Sequence, residues 1–205
     1  MLDNKGFDLW ADGYDKSVNL SEEANEYPFA GYKTVLGKVY SMAHSGEGKV
    51  ILDIGFGSGV LTQRLYEDGY NIYGVDFSAK MIEIAKAKMP NANLIHHDFS
   101  AGLPEEIIDK KFDFIISTYA IHHLGNPEKV IFIKQLLEHL NPNGQIVIGD
   151  VAFETQAELE SCRDASGSNW DSDEIYIVAD DLQKYFPNVK FDKISHCAGI
   201  VRFSK

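Results

Sequence analysis

The chain has 205 residues, enough for one domain around a single core and too few for two full-sized ones. Its 31 Asp and Glu against 19 Lys and Arg leave a net charge of −12, a field that repels phosphate backbones and anionic lipid headgroups and so argues against nucleic-acid and membrane partners. Cys162 and Cys197 stand in no metal-ligand or CxxC spacing, no signal-peptide pattern opens the chain, and no apolar stretch approaches the ~20 residues that cross a bilayer, so the expectation is a cytoplasmic protein with reduced thiols.

The first aromatic-rich segment, residues 7–15, either buries Phe7, Trp10 and Tyr14 against the body of the fold or forms a flap over a ligand with Tyr14 supplying a phenol. Residues 22–44 read as a long amphipathic helix with Phe29, Tyr32, Leu36, Val39 and Ala43 on one face, packed on a sheet or over its carboxyl edge. Short β-branched runs then alternate with helical patterns. Strands are expected at 50–53, 71–76, 93–98, 112–118 and 145–150. Helices fall between them at 60–67, at 79–89 with Ser78 as cap and Pro90 as stop, and at 127–140, terminated by Asn141-Pro142-Asn143-Gly144. Residues 100–111 hold only a short helix. The segment 152–179, with its polar run from Ser166 to Glu174, reads as a mobile substrate loop or a solvated connector.

Strand–helix–strand alternation with buried strands implies right-handed crossovers and a parallel, doubly wound sheet. At the C-terminus a helix from about 181 to 186 precedes two strand-like runs, 189–198 and 199–204, joined with almost no loop, which only an antiparallel hairpin allows. The expectation is therefore an α/β domain: a mostly parallel seven-stranded sheet, an antiparallel C-terminal hairpin and N-terminal helices over the carboxyl edge. Its three parts would be a helical cap (1–46), a cofactor-binding core (47–150) and a C-terminal helix and hairpin (151–205), all one domain.

The chemistry concentrates at Asp53-Ile54-Gly55-Phe56-Gly57-Ser58-Gly59, between the first strand and the first following helix. That junction lies on the ligand-binding edge of a doubly wound sheet, where a helix N-terminus offers unpaired N–H groups. A dinucleotide fingerprint would place its third glycine at position 60, which is Val60. The acid ahead of the loop repels a pyrophosphate and favours a ligand with an ammonium or sulfonium. Asp76, at the tip of the second strand, can accept from both hydroxyls of a ribose, since Ser78 is available to cap the helix that follows. Asp98 ends the third strand beside Phe99 and is either an acceptor for an exocyclic amine or a turn residue. The adjacent His122 and His123 after the fourth strand read as a general base, packing, or a metal pair lacking a close third ligand, and no metal is expected.

Together, Asp53-x-Gly55-x-Gly57-x-Gly59, Asp76, Asp98 and Leu140-Asn141-Pro142-Asn143-Gly144 resemble the class I S-adenosylmethionine-dependent methyltransferases, over about residues 7–150. The opening Trp10-Ala11-x-x-Tyr14-Asp15 and the run from Ser117 to Leu124 are similar to small-molecule members, notably the bacterial YrrT-like group. The resemblance implies S-adenosylmethionine as cofactor and a Rossmann-like fold. Gly55 and Gly57 would pass under the methionine moiety, with Asp53 on its ammonium. Asp76 would hold the ribose hydroxyls, with Phe77 beside the adenine. Asp98 would accept from the adenine amine, Phe99 would stack, and the Ser117-Thr118 backbone would line the sulfonium.

Methyl transfer from a sulfonium needs alignment more than side-chain catalysis. A base is required only for an acceptor protonated at pH 7, and His122, His123 and Tyr14 are its candidates. The run Ser117-Thr118-Tyr119-Ala120 lacks the Asp/Asn-Pro-Pro-aromatic motif of amino-methylating nucleic-acid and protein-glutamine enzymes. Neither cysteine follows a proline, and two are too few for arsenite chemistry. A small-molecule acceptor remains, handled by a monomer or homodimer. The alternatives are a non-catalytic binder of S-adenosylmethionine or S-adenosylhomocysteine and a nicotinamide-dependent oxidoreductase, the latter disfavoured by Val60 and Asp53.

Overall fold

The computed structural model of the chain describes residues 25–46 and 48–205. Five parallel strands form its centre: β1 (Val50–Ile54), β2 (Asn71–Asp76), β3 (Asn93–His96), β4 (Phe112–Thr118) and β5 (Leu140–Phe153). A two-residue β6 (Ile177–Val178) extends the pairing of β5 in parallel, while β7 (Lys190–Lys193) and β8 (Ala198–Ser204) add an antiparallel edge. The order along the sheet is β3-β2-β1-β4-β5-β8-β7. The α/β expectation holds, with β6 as an eighth strand.

Strands such as Ile51-Leu52 and Ile115-Ile116 are buried on both faces, as a parallel sheet covered by helices on each side requires. On one face, α1 (Tyr32–His44), α2 (Val60–Glu67) and α3 (Ala79–Lys88) bring Val35, Val39, Leu61, Leu65, Ile82 and Ala85 into one apolar cluster. On the other, α4 (Asn126–Glu138) brings Phe132, Ile133 and Leu136. The strand order reverses between β1 and β4, so a crevice opens at their carboxyl ends. No helix among the described residues is long and apolar enough to cross a membrane.

Several expected boundaries move. Of the helix expected over 22–44, residues 22–24 lie outside the described residues; among the described ones it starts at Tyr32, because Gly31 sits in the left-handed region (φ 82°) as its N-cap and leaves Phe29 in the preceding turn. Residues 100–111 carry only the 3-10 turns Phe99–Ala101 and Glu105–Ile107. The segment 152–179 is not one long loop: it contains α5 (Gln156–Ser166), which Thr155 caps by accepting from Glu158 N–H. That helix buries only Cys162, so its sequence lacks a strong apolar stripe. The following helix, α6 (Ala179–Gln183), begins two residues before the expected position. The C-terminal hairpin is antiparallel as expected, but a loop over 194–197 separates its strands. Ser195 Oγ builds that loop by accepting from the N–H groups of Cys197 and Ala198. β5 also runs farther in both directions than 145–150, and Asn141 to Gly144 fall inside its first half.

Candidate active site

The crevice between β1 and β4 holds a cavity with an empty volume of about 980 Å³, its open mouth included. Its floor is the loop from Gly55 to Gly59, which the Gly55 N–H ties to β2 through Val75 C=O (2.8 Å) and Lys88 Nζ braces at Ser58 C=O (2.8 Å). Gly55 has φ 70°, and a Cβ there would lie 2.3 Å from the Ala120 Cβ. Gly57 has φ 55° and open space where a Cβ would stand. The first glycine therefore answers to packing, whereas the second leaves room at the cavity floor.

Two carboxylates frame this loop. Asp53 is buried; its Oδ2 accepts from Thr62 Oγ1 at 2.5 Å, and its Oδ1 has no partner. Burial pushes the Asp53 carboxyl up to about 7, against the lowering hydrogen bond from Thr62. Asp76 is also buried and accepts from Gly57 N–H with Oδ2 (2.8 Å) and from Ser78 N–H with Oδ1 (2.9 Å), so it locks the glycine loop to the start of α3. Burial raises its pKa as well, although the N–H groups of Ser78 and Gly57 oppose the shift. Ser78 caps α3 as expected, its Oγ accepting from Met81 N–H at 3.2 Å.

Phe77 and Phe99 line the cavity, Phe99 stacked on Phe132 with ring centroids 5.8 Å apart. Asp98 does not: it is exposed, and its Oδ1 accepts from Ser100 N–H at 2.9 Å as the cap of the Phe99–Ala101 turn. β3 ends at His96, two residues short of it. Thr118 lines the cavity, while Ser117 lies beneath, its Oγ donating to Ile54 C=O at 2.8 Å and stitching β4 to β1. Tyr119 holds φ 52°, a conformation unusual for a bulky residue and concentrated at functional positions. Tyr14 and the rest of 7–15 lie outside the described residues.

The opposite end of the cavity is polar. His122 and His123, on the 3-10 turn Ile121–His123, meet Glu174 from the segment before β6. His122 Nδ1 lies 2.7 Å from Asp150 Oδ1, and its Nε2 lies 3.4 Å from Glu174 Oε1. Desolvation disfavours charge on His122, but Asp150 and Glu174 outweigh it and raise its pKa. His123 is pushed down to about 4 by burial and by the neighbouring His122. Backbone bonds hold this corner together: Ile175 N–H donates to His122 C=O (3.0 Å), and the buried Lys129 Nζ donates to Leu124 C=O and to Ile175 C=O (2.6 Å). Tyr176 OH fixes Glu174 by donating to Oε2 at 2.7 Å and also bonds Tyr27 OH. Burial pushes the Tyr27 phenol up to about 12.

Sequence reasoning passed over Thr62, Asp150 and Glu174. Asp150 carried a usable signal, since it sits near the carboxyl end of a parallel strand, as Asp53 and Asp76 do. Thr62 and Glu174 carried none, because only the folded chain brings them to their partners.

Residues 51–144 match the family profile described as a methyltransferase domain. Among curated proteins, an uncharacterised methyltransferase of Oceanobacillus iheyensis is 35% identical over 185 residues, covering 90% of this chain and 82% of its own. One from Geobacillus thermodenitrificans is 36% identical over 182 residues, covering 88% and 79%. Among solved structures, the DhpI–SAH complex is similar with a TM-score of 0.69 at 15% identity, covering 97% of this chain and 93% of that one. Magnesium protoporphyrin IX methyltransferase from Synechocystis PCC 6803 with bound SAH gives 0.66 at 18% identity, covering 85% and 83%.

Proposed function

The chain belongs to the class I S-adenosylmethionine-dependent methyltransferase family, and we propose that it transfers a methyl group from S-adenosylmethionine to a small-molecule acceptor by in-line displacement, as a cytoplasmic enzyme. The observation that carries the site assignment is Asp53, which lines the cavity beside the glycine loop and keeps a buried Oδ1 with no partner. A buried acceptor without a donor is costly, and a ligand ammonium there removes the cost. The donor set thus fits the methionine end of the cofactor and not a pyrophosphate.

Asp53 would hold that ammonium, with Gly57 leaving room beside it. Asp76 has each oxygen occupied by one backbone N–H, and each keeps lone-pair capacity for a ribose hydroxyl. Phe77 and Phe99 would flank the adenine, and Thr118 would face the sulfur. When bound, S-adenosylmethionine supplies a methyl already activated by its sulfonium. The protein's own work is then to align the acceptor and exclude water.

The acceptor end combines an aromatic wall with a polar corner. Tyr119 packs against Phe29 and Tyr32, with ring centroids 5.5 and 5.1 Å away, and His122, His123 and Glu174 face the same cavity. Such a corner suits an acceptor whose nucleophilic atom must lose a proton. Incubation with methyl-labelled S-adenosylmethionine and a panel of small thiols, amines and phenols tests the reading. Label is expected in a low-molecular-weight product that forms only when its acceptor is present. Label in protein or nucleic acid, or no transfer to any small acceptor, would contradict it.

A further inference from the structure

The polar corner has a geometry that acid–base chemistry does not require. One ligand-type atom from each of His122, His123 and Glu174 falls within 4.8 Å of the other two. His122 Nε2 and Glu174 Oε1 are 3.4 Å apart, too far for a charge-assisted N–H···O bond, which closes to about 2.7–2.9 Å. Two ligands on one tetrahedral metal, each bonded at about 2.0–2.2 Å, stand about 3.3–3.5 Å apart. Asp150 on the other ring nitrogen of His122 supplies the carboxylate behind a metal-bound histidine, which leaves the Nε2 lone pair facing Glu174. Tyr176 OH orients the Glu174 carboxylate from its far oxygen, and the bond from Ile175 N–H to His122 C=O fixes the segment carrying it. Both histidines and the glutamate line the cavity, so a fourth position would face its interior.

We propose that His122, His123 and Glu174 form a three-ligand site for a divalent transition metal of the zinc class, with an open fourth position toward the acceptor end of the cavity. Two imidazoles, one carboxylate and an open position are the donor set of catalytic rather than structural zinc. The assignment of that open position to the acceptor's nucleophilic atom rests on the methyl-transfer reading; the metal site itself does not.

The test is titration of chelator-stripped protein with Co2+, followed by visible absorption, and then displacement by Zn2+. The wild type is expected to bind one Co2+ per chain with the strong absorption of a tetrahedral site and to lose it to one equivalent of Zn2+. Glu174→Gln and His123→Ala, both less buried than His122, should abolish that absorption. Asp150→Asn should weaken affinity by roughly 10- to 100-fold. His44→Ala, on the exposed end of α1, should change nothing. S-adenosylhomocysteine binding by calorimetry on the same samples reports folding and the cofactor end separately. No tetrahedral Co2+ signal, or a signal unchanged in Glu174→Gln and His123→Ala, with S-adenosylhomocysteine still bound, overturns the metal site alone.

Discussion

Thr62 Oγ1 donates to one oxygen of Asp53 at 2.5 Å and leaves the other buried with no partner. Because burial holds this carboxyl up at about 7, it is largely protonated below neutrality in the free protein. An ammonium ligand needs the carboxylate. Affinity for S-adenosylhomocysteine should therefore rise up to about tenfold per pH unit between about pH 5 and 7 and flatten above. The stability of the free protein has the opposite sign. A carboxyl whose folded pKa is raised binds more protons folded than unfolded, so its contribution falls as pH climbs from about 4 to about 7. Asp53→Asn keeps an acceptor for Thr62 and removes the titration. Calorimetry across this range should find weaker, pH-independent binding in the variant.

Gly55 and Gly57 share a left-handed backbone but not surroundings, and alanine at each should separate fold from binding. Gly55→Ala adds contact with the Ala120 Cβ to the conformational strain and should cost about 2–5 kcal/mol. Gly57→Ala meets no neighbour and should cost only about 1–2 kcal/mol. Yet Gly57 lines the cavity, so its variant should lose S-adenosylhomocysteine affinity while remaining folded. Urea denaturation paired with calorimetry checks both. Equal destabilisation by the two substitutions would show that the Ala120 contact does not govern Gly55.

The cofactor end of the cavity was legible because its residues are local to strand ends. Asp53, the alternating glycines, Asp76 and Ser78 each lie within a few residues of a β–α junction, where a parallel sheet places ligands. Asp98 lies beyond the strand tip: β3 stops at His96, one oxygen of the aspartate accepts from Ser100 N–H, and it is the neighbouring Phe99 that enters the cavity. The polar corner was not legible. Glu174 reaches His122 only because β6 docks on β5, and a two-residue strand leaves no period in a sequence. The α5 helix was missed for a related reason, since a helix that buries only Cys162 looks like a solvated loop.

Ser78 offers a test of local stability largely independent of the chemistry. Its Oγ satisfies Met81 N–H at the start of α3, and Ser78→Ala should cost about 1 kcal/mol. For a chain of this size that lowers Tm by about 2–4 °C. The Ser78 N–H bond to Asp76 survives the substitution, so S-adenosylhomocysteine affinity should fall far less than in Asp76→Ala. Differential scanning calorimetry with and without ligand reads both quantities.

Asp76 sits where the account is most exposed, joining Gly57 N–H, Ser78 N–H and the cavity in one buried carboxylate. Calorimetric titration of the wild type and Asp76→Ala with S-adenosylhomocysteine is the most direct measurement. One equivalent should bind the wild type with a Kd on the micromolar scale, and the variant should bind roughly 10- to 100-fold more weakly through loss of charge-assisted hydrogen bonds. No binding to the wild type, or undiminished binding to the variant, would contradict the assignment of this cavity to S-adenosylmethionine.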